Sequence, residues 1–306
     1  MLAYTCSLLS LPLLLAVRRG LVVLAPRAEA RLLFTLAVLP MLVSVAAVTA
    51  SVVPAFSSVD HCVGELDLHD HPHLCAQHHA GSLPGGLPVF LGAFLLANLL
   101  LTVVQLLGNA RVGQRLCEAL GRAARAENGY GILPLAEPQA FLIGVLRPRL
   151  FLTEGLLATH REHLEVVLGH ERAHLQFRHP LFRALAKAAL CFHLPLISQA
   201  IERALTLSHE VVADEEAASQ VGSRERVASA LVQLTRAALP LHPAVTGFGC
   251  SHVELRIARL LDPPSAHDVP SARSLLLLSA LALIALTIAA EPIHHGLELT
   301  LGLLGS

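Results

Sequence analysis

The sequence predicts a mostly α-helical membrane protein, with four transmembrane helices and an α+β domain inserted between the third and fourth. Three observations predict it. Only 15% of the 306 residues are charged and 54% are hydrophobic, whereas a soluble domain carries about 25% charge. The missing charge is concentrated in four uncharged runs, Leu2–Val17, Leu32–Phe56, Leu87–Leu107 and Ser274–Ala290. Between the last two runs, short apolar strands and amphipathic helices surround an H-E-x-x-H motif at His170–His174. The chain therefore divides into a three-helix membrane region (1–107), an inner domain (108–272), and a fourth span with a short outer tail (273–306).

The first run has 16 residues, at the short end of what spans a bilayer. Its arginines, Arg18 and Arg19, follow the apolar stretch rather than precede it, which is not the order of a cleaved signal peptide. Loop charges give one consistent topology. Arginine clusters in 18–31, in 111–125 and at Arg256, Arg259 and Arg273, while 57–86 and the tail after Ala290 hold no Lys or Arg. The positive-inside rule places the N-terminus outside, 18–31 inside, 57–86 outside, 108–272 inside and the C-terminus outside. The spans contain no paired acidic residues, which leaves a transport pathway without support. The net charge of −1 says little about partners, and direct nucleic-acid binding is not expected because there is no basic patch beyond what topology explains.

The outer loop 57–86 carries His61, His69, His71, His73, His78 and His79, with Asp60, Asp67 and Asp70. Imidazole and carboxylate are ligands for zinc, copper or nickel, so the loop reads either as a metal-binding sensor or as a solvated polar loop. Cys62 and Cys75 share that loop and could form a disulfide if that face is oxidising, with free thiols as the alternative, whereas Cys117, Cys191 and Cys250 fall inside as thiols.

After the third span, Gly108–Glu127 is Arg- and Ala-rich and reads as a helix. Gly129–Leu135, Gln139–Leu146 and Arg149–Leu152 then read as a small sheet of hairpins. Ala140, Phe141, Leu142, Ile143 and Gly144 form either an exposed edge strand that would hold an extended peptide or a core strand. Next comes a helix from about Thr159 to Arg178, with a T-x-x-E capping box at Thr159 and Glu162. On it His170 and His174, four residues apart, share one face and can reach a single metal ion. Glu171 lies beside them, placed to polarise a metal-bound water.

A strongly apolar helix follows from Pro180 to about Gln199. Arg183 and Lys187 mark it as a buried or membrane-surface helix rather than a span. The next helix, about Ile201–Gln220, contains H-E-V-V-A-D at 209–214. A catalytic site with two His needs a third protein ligand, and Glu210 is the natural one. Asp214, one turn on, can fix the tautomer of a ligand His. A last inner helix, about Arg224–Leu239, packs behind the site. His209 and Arg203 are candidates for a second oxyanion donor, with plain surface positions as the alternative.

The stretch from about Pro138 to Arg236 resembles the BlaR/MecR-type integral membrane zinc metallopeptidases, the antirepressor family. These are gluzincins related to the HtpX and CAAX-prenyl-protease group. The resemblance rests on A-F-L-I-G-V-L-R-P-R-L-F-L-T-E-G-L-L, L-E-V-V-L-G-H-E-R-A-H and H-E-V-V-A-D-E-E-A-A, and on the four-span layout. It implies that His170, His174 and Glu210 bind Zn2+ and that Glu171 is the general base. It further implies a multi-pass protein of the bacterial inner membrane whose catalytic domain faces the cytoplasm and cleaves a protein, such as a transcriptional repressor. The family's penicillin-binding sensor would follow the last span, where about sixteen residues remain, so β-lactam sensing by that route is not expected. Two rival readings are a quality-control protease acting on damaged membrane proteins and a metal-sensing receptor that binds without cutting.

Overall fold

A computed structural model describes residues 2–18, 24–52, 87–127, 129–159, 161–237, 246–247 and 252–262. The outer loop with its six histidines, Cys62 and Cys75, and the expected span at Ser274–Ala290 lie outside the described residues. The chain divides into two compact units, one of Met1–Cys6, Leu39–Leu101 and Pro270–Ser306, the other of Ser7–Val38 and Thr102–Val269. The second unit holds the sheet and every site residue discussed below.

Three helices open the chain: α1 (Leu2–Arg18), α2 (Pro26–Val52) and α3 (Leu87–Ala123). They cover the first three expected spans. Among the described residues one segment, Pro26–Ala46 of α2, is long and apolar enough to cross a membrane. It begins six residues before the run read from the sequence, because Pro26 starts the helix and Glu29 and Arg31 are taken into it. The Arg-rich stretch after Leu107 is a continuation of α3 rather than a separate helix.

The sheet holds β1 (Arg125–Glu127), β2 (Tyr130–Leu133), β3 (Ala140–Ile143), β4 (Arg149–Thr153) and β5 (Thr246–Gly247), in the order β1-β2-β4-β3-β5. It is mixed, not a plain run of hairpins: β2 lies parallel to β4, with the other pairs antiparallel. β3 is apolar and buried at every position, and β4 is apolar over Leu150–Leu152, because both faces are covered there. Alternation then sorts the side chains. Leu142, Leu150 and Leu152 enter a core with Val166, Val167 and Leu231, while Phe141, Ile143 and Phe151 pack with Cys117 of α3. Phe141 and Leu142 pair with Gly247 and Thr246, so of the two readings of 140–144, exposed edge or core strand, the edge is occupied there by β5. A two-residue strand about a hundred residues downstream leaves no pattern that the sequence could announce.

The turn into the helical layer is held by Thr153. Its hydroxyl accepts from the Leu156 amide at 3.3 Å and donates to the Glu137 carbonyl at 2.6 Å, capping the short α4 (Glu154–Leu157). The T-x-x-E box expected at Thr159 is not formed. The Thr159 hydroxyl instead donates back to the Leu156 carbonyl at 2.6 Å. Then come α5 (Arg161–Gln176), α6 (His179–Ala189), a 3-10 turn (Leu190–Phe192), α7 (Pro195–Val221), α8 (Arg224–Ala237) and α9 (Val253–Leu261). Pro195 opens α7 rather than interrupting the helix before it, since a proline at the first position gives up no helical hydrogen bond. Gly169 permits the close approach of α5 and α7: a Cβ there would lie 3.4 Å from the Ala217 Cα and 3.1 Å from the Gln220 side chain.

His193 joins the N-terminal helices to the turn before α7. Its Nε2 donates to the Ala37 carbonyl at 3.1 Å and its Nδ1 accepts from the Ser7 hydroxyl at 3.1 Å. The Ser7 oxygen accepts in turn from the Leu194 amide at 3.2 Å. The neutral ring is thus fully paired, and burial lowers its pKa below the ordinary value of 6.5. A depressed histidine contributes stability that is present above the unfolded pKa and lost as pH falls below it. Thermal midpoints should therefore fall as pH is lowered from about 6.5, a range set by the unfolded imidazole. The fall should be smaller in His193→Gln; equal falls in both proteins would refute this role.

Candidate metal and catalytic site

The site is built by two helix faces. On α5, one helical turn sets His170 above His174, and on α7 one turn sets Glu210 above Asp214. All four, and Glu171, are buried. The two imidazoles turn their Nε2 atoms toward each other at 3.1 Å. The Glu210 carboxylate faces both, 3.4 Å from His170 Nε2 and 3.6 Å from His174 Nε2. Ligand atoms of these three residues lie within 4.8 Å of one another, and they could hold one metal ion. The sequence-derived ligands are therefore brought together, and Glu171 sits beside them with its Oε1 buried and without a hydrogen-bond partner.

Asp214 takes the supporting place expected of it, its Oδ1 2.9 Å from His170 Nδ1. That contact leaves Nε2 as the nitrogen that faces the ligand cluster. Two arginines complete the site. Arg183 of α6 donates to Glu210 Oε1 at 2.7 Å. Arg256 of α9, fully buried, grips Asp214 with its Nε at 2.7 Å and a terminal nitrogen at 2.6 Å, and reaches Glu210 at 3.3 Å. Sequence reasoning counted both only as topology and anti-span signals. Arg256 did leave a signal, because it lies on the same helical stripe as Val253, Ile257 and Leu260. A lone charge on an apolar stripe needs a buried counter-charge.

The electrostatics follow from burial and these neighbours. Burial pushes the Glu171 carboxyl up to about 8. Burial would lower His170, but its hydrogen bonds to Asp214 and Glu210 outweigh that and hold it at about 9. Burial holds His174 well below 6.5. Glu210 would be raised by burial, yet the histidines and both arginines keep it well below the ordinary carboxylate value. The Glu210 carboxylate is thus ionised, while burial moves the Glu171 carboxyl far above the ordinary carboxylate range.

Of the two candidate oxyanion donors, Arg203 is exposed on α7. His209 is buried, and its ring stacks on His179 with centroids 4.2 Å apart. Ala140–Ile143 are buried in the sheet, with Ala140 and Leu142 in the core beneath α5.

Residues 108–207 match the profile of Peptidase family M48. No curated protein and no solved structure matches the chain. The matched segment carries His170, Glu171 and His174 and ends three residues before Glu210. The match and the buried donor triad together support a metallopeptidase.

Proposed function

We propose that the protein is a membrane-bound zinc metalloendopeptidase that hydrolyses peptide bonds of a cytoplasmic or membrane-proximal protein in regulatory signalling, with a transcriptional repressor as the substrate class. The observation that carries the proposal is the triad His170, His174 and Glu210 with the unpartnered Glu171 oxygen beside it. Two imidazoles and a carboxylate are the donor set of a catalytic zinc, with a fourth position left for water or substrate. Donor atoms about 2.05 Å from a tetrahedral zinc lie about 3.3 Å apart. The separations of 3.1, 3.4 and 3.6 Å straddle that value. The arginine distribution supports a multi-pass topology with the site on the cytoplasmic side.

When bound, zinc supplies Lewis-acid polarisation of the scissile carbonyl and acidifies the attacking water. Glu171 takes the proton of that water on its carboxylate and returns it to the leaving amine. Asp214 holds the His170 tautomer, and Arg183 and Arg256 keep Glu210 ionised throughout.

The test compares cells expressing wild type with cells expressing Glu171→Gln and maps new protein N-termini in both. A short set of wild-type-only termini, with a repressor among them, is the expected result. Many unrelated termini from membrane proteins would replace signalling with quality control. No difference between the two strains, with zinc bound in the purified protein, would replace proteolysis with metal sensing.

A further inference from the structure

His179 has no part in the site as described so far. It stands five residues beyond His174 and one residue past the left-handed Arg178, whose φ is 53°. A non-glycine residue seldom takes that conformation, and here it bends the chain sharply between α5 and α6. The bend carries His179 back beneath α5. Its Nδ1 lies 2.7 Å from His174 Nδ1, and both rings are buried. The His179 ring stacks with that of His209, 4.2 Å away and nearly parallel, and with that of Phe177, 5.8 Å away.

We propose that His179 is a positioning residue for His174, accepting its Nδ1–H and so leaving His174 Nε2 free to bind the metal. The inference rests on the metal-site reading above. Two imidazole nitrogens at 2.7 Å must share one proton, so one donates and the other accepts. His174 Nε2 is the atom that faces His170 Nε2 and Glu210. The His174 proton therefore belongs on Nδ1, and His179 Nδ1 must carry the accepting lone pair. The two ligand imidazoles are thus backed differently, His170 by a carboxylate and His174 by a neutral ring held in an aromatic stack. A carboxylate raises the basicity of the ligand it backs more than a neutral acceptor does.

The experiment uses the full chain in detergent, stripped of metal, with zinc affinity read by competition against a chelating dye. His179→Phe keeps a ring in the stack but removes the acceptor, and should weaken zinc about 10–100-fold. The metal-free melting point should stay close to wild type. His179→Asp restores an acceptor and should bind zinc within about threefold of wild type, or more tightly. Wild-type affinity in the Phe variant would overturn the inference, as would an Asp variant weakened as much as Phe. Should the Phe variant fail to fold, the Asp variant alone decides: retention supports the role and a tenfold loss refutes it. A wild type that binds no zinc would instead sink the metal-site reading, and this inference with it.

Discussion

Glu171→Gln is expected to lower peptide hydrolysis by about 10²–10⁴-fold while leaving metal affinity within a few-fold of wild type. The size of the loss follows from what the substitution removes. Gln keeps the volume of a side chain that is 1% exposed, so packing around α5 is retained. It cannot take a proton, and the buried oxygen with no partner is the group placed to do so. Metal is retained because the three donors, His170, His174 and Glu210, are untouched. The measurement is steady-state cleavage of a peptide substrate by purified protein, with bound metal determined on the same sample. A variant that retains metal and still cleaves at the wild-type rate would remove Glu171 from the mechanism. Loss of both metal and activity would make it a structural support of the site.

Arg256→Met should cost about 3–5 kcal/mol of stability, the penalty for stranding a buried charge. For a domain of this size that lowers the melting point by about 10 °C. Arg256 is fully buried and holds Asp214 at 2.6 and 2.7 Å, so its removal leaves that carboxylate with His170 Nδ1, at 2.9 Å, and without its arginine. Glu210 suffers less, because Arg183 remains on it at 2.7 Å. A second variant separates charge from packing. Adding Asp214→Asn to Arg256→Met removes the stranded charge and should recover part of the lost stability, although it weakens the support of His170. Melting within a degree or two of wild type for Arg256→Met, or additive losses in the double variant, would show that the pair acts independently of the charge it neutralises.

How much of the site could be read in advance depended on the range of the geometry that places each residue. His170 with His174, and Glu210 with Asp214, were legible because a helix repeats every 3.6 residues and brings residues four apart together whatever surrounds it. The helical layer after the sheet was legible for the same reason, down to Arg224 as the start of α8. The misplaced details were of a different kind. Thr159 had two backbone partners available to its hydroxyl, and took the carbonyl behind it instead of the helix ahead. The strand at 140–143 is legible as a strand, but whether its edge is free was left open by the sequence, and two residues from beyond α8 cover it.

By itself, then, the sequence determined the pairs His170 with His174 and Glu210 with Asp214, the place of Glu171 beside them, the mixed helix-and-sheet class of the inner domain and the uncharged runs within the first 107 residues. Each of these is carried by local periodicity or by composition. Only the tertiary structure decided that Arg183 and Arg256 hold the Glu210 and Asp214 carboxylates, that His179 turns back onto His174, and that β3 lies inside the sheet. These contacts join residues 27 and 42 positions apart in the ion pairs, and about a hundred apart in the sheet. They form because burying a carboxylate demands a buried cation, and because a strand edge attracts whatever backbone can reach it. Neither demand names its partner in the sequence; the packing of α6, α9 and β5 against the site does.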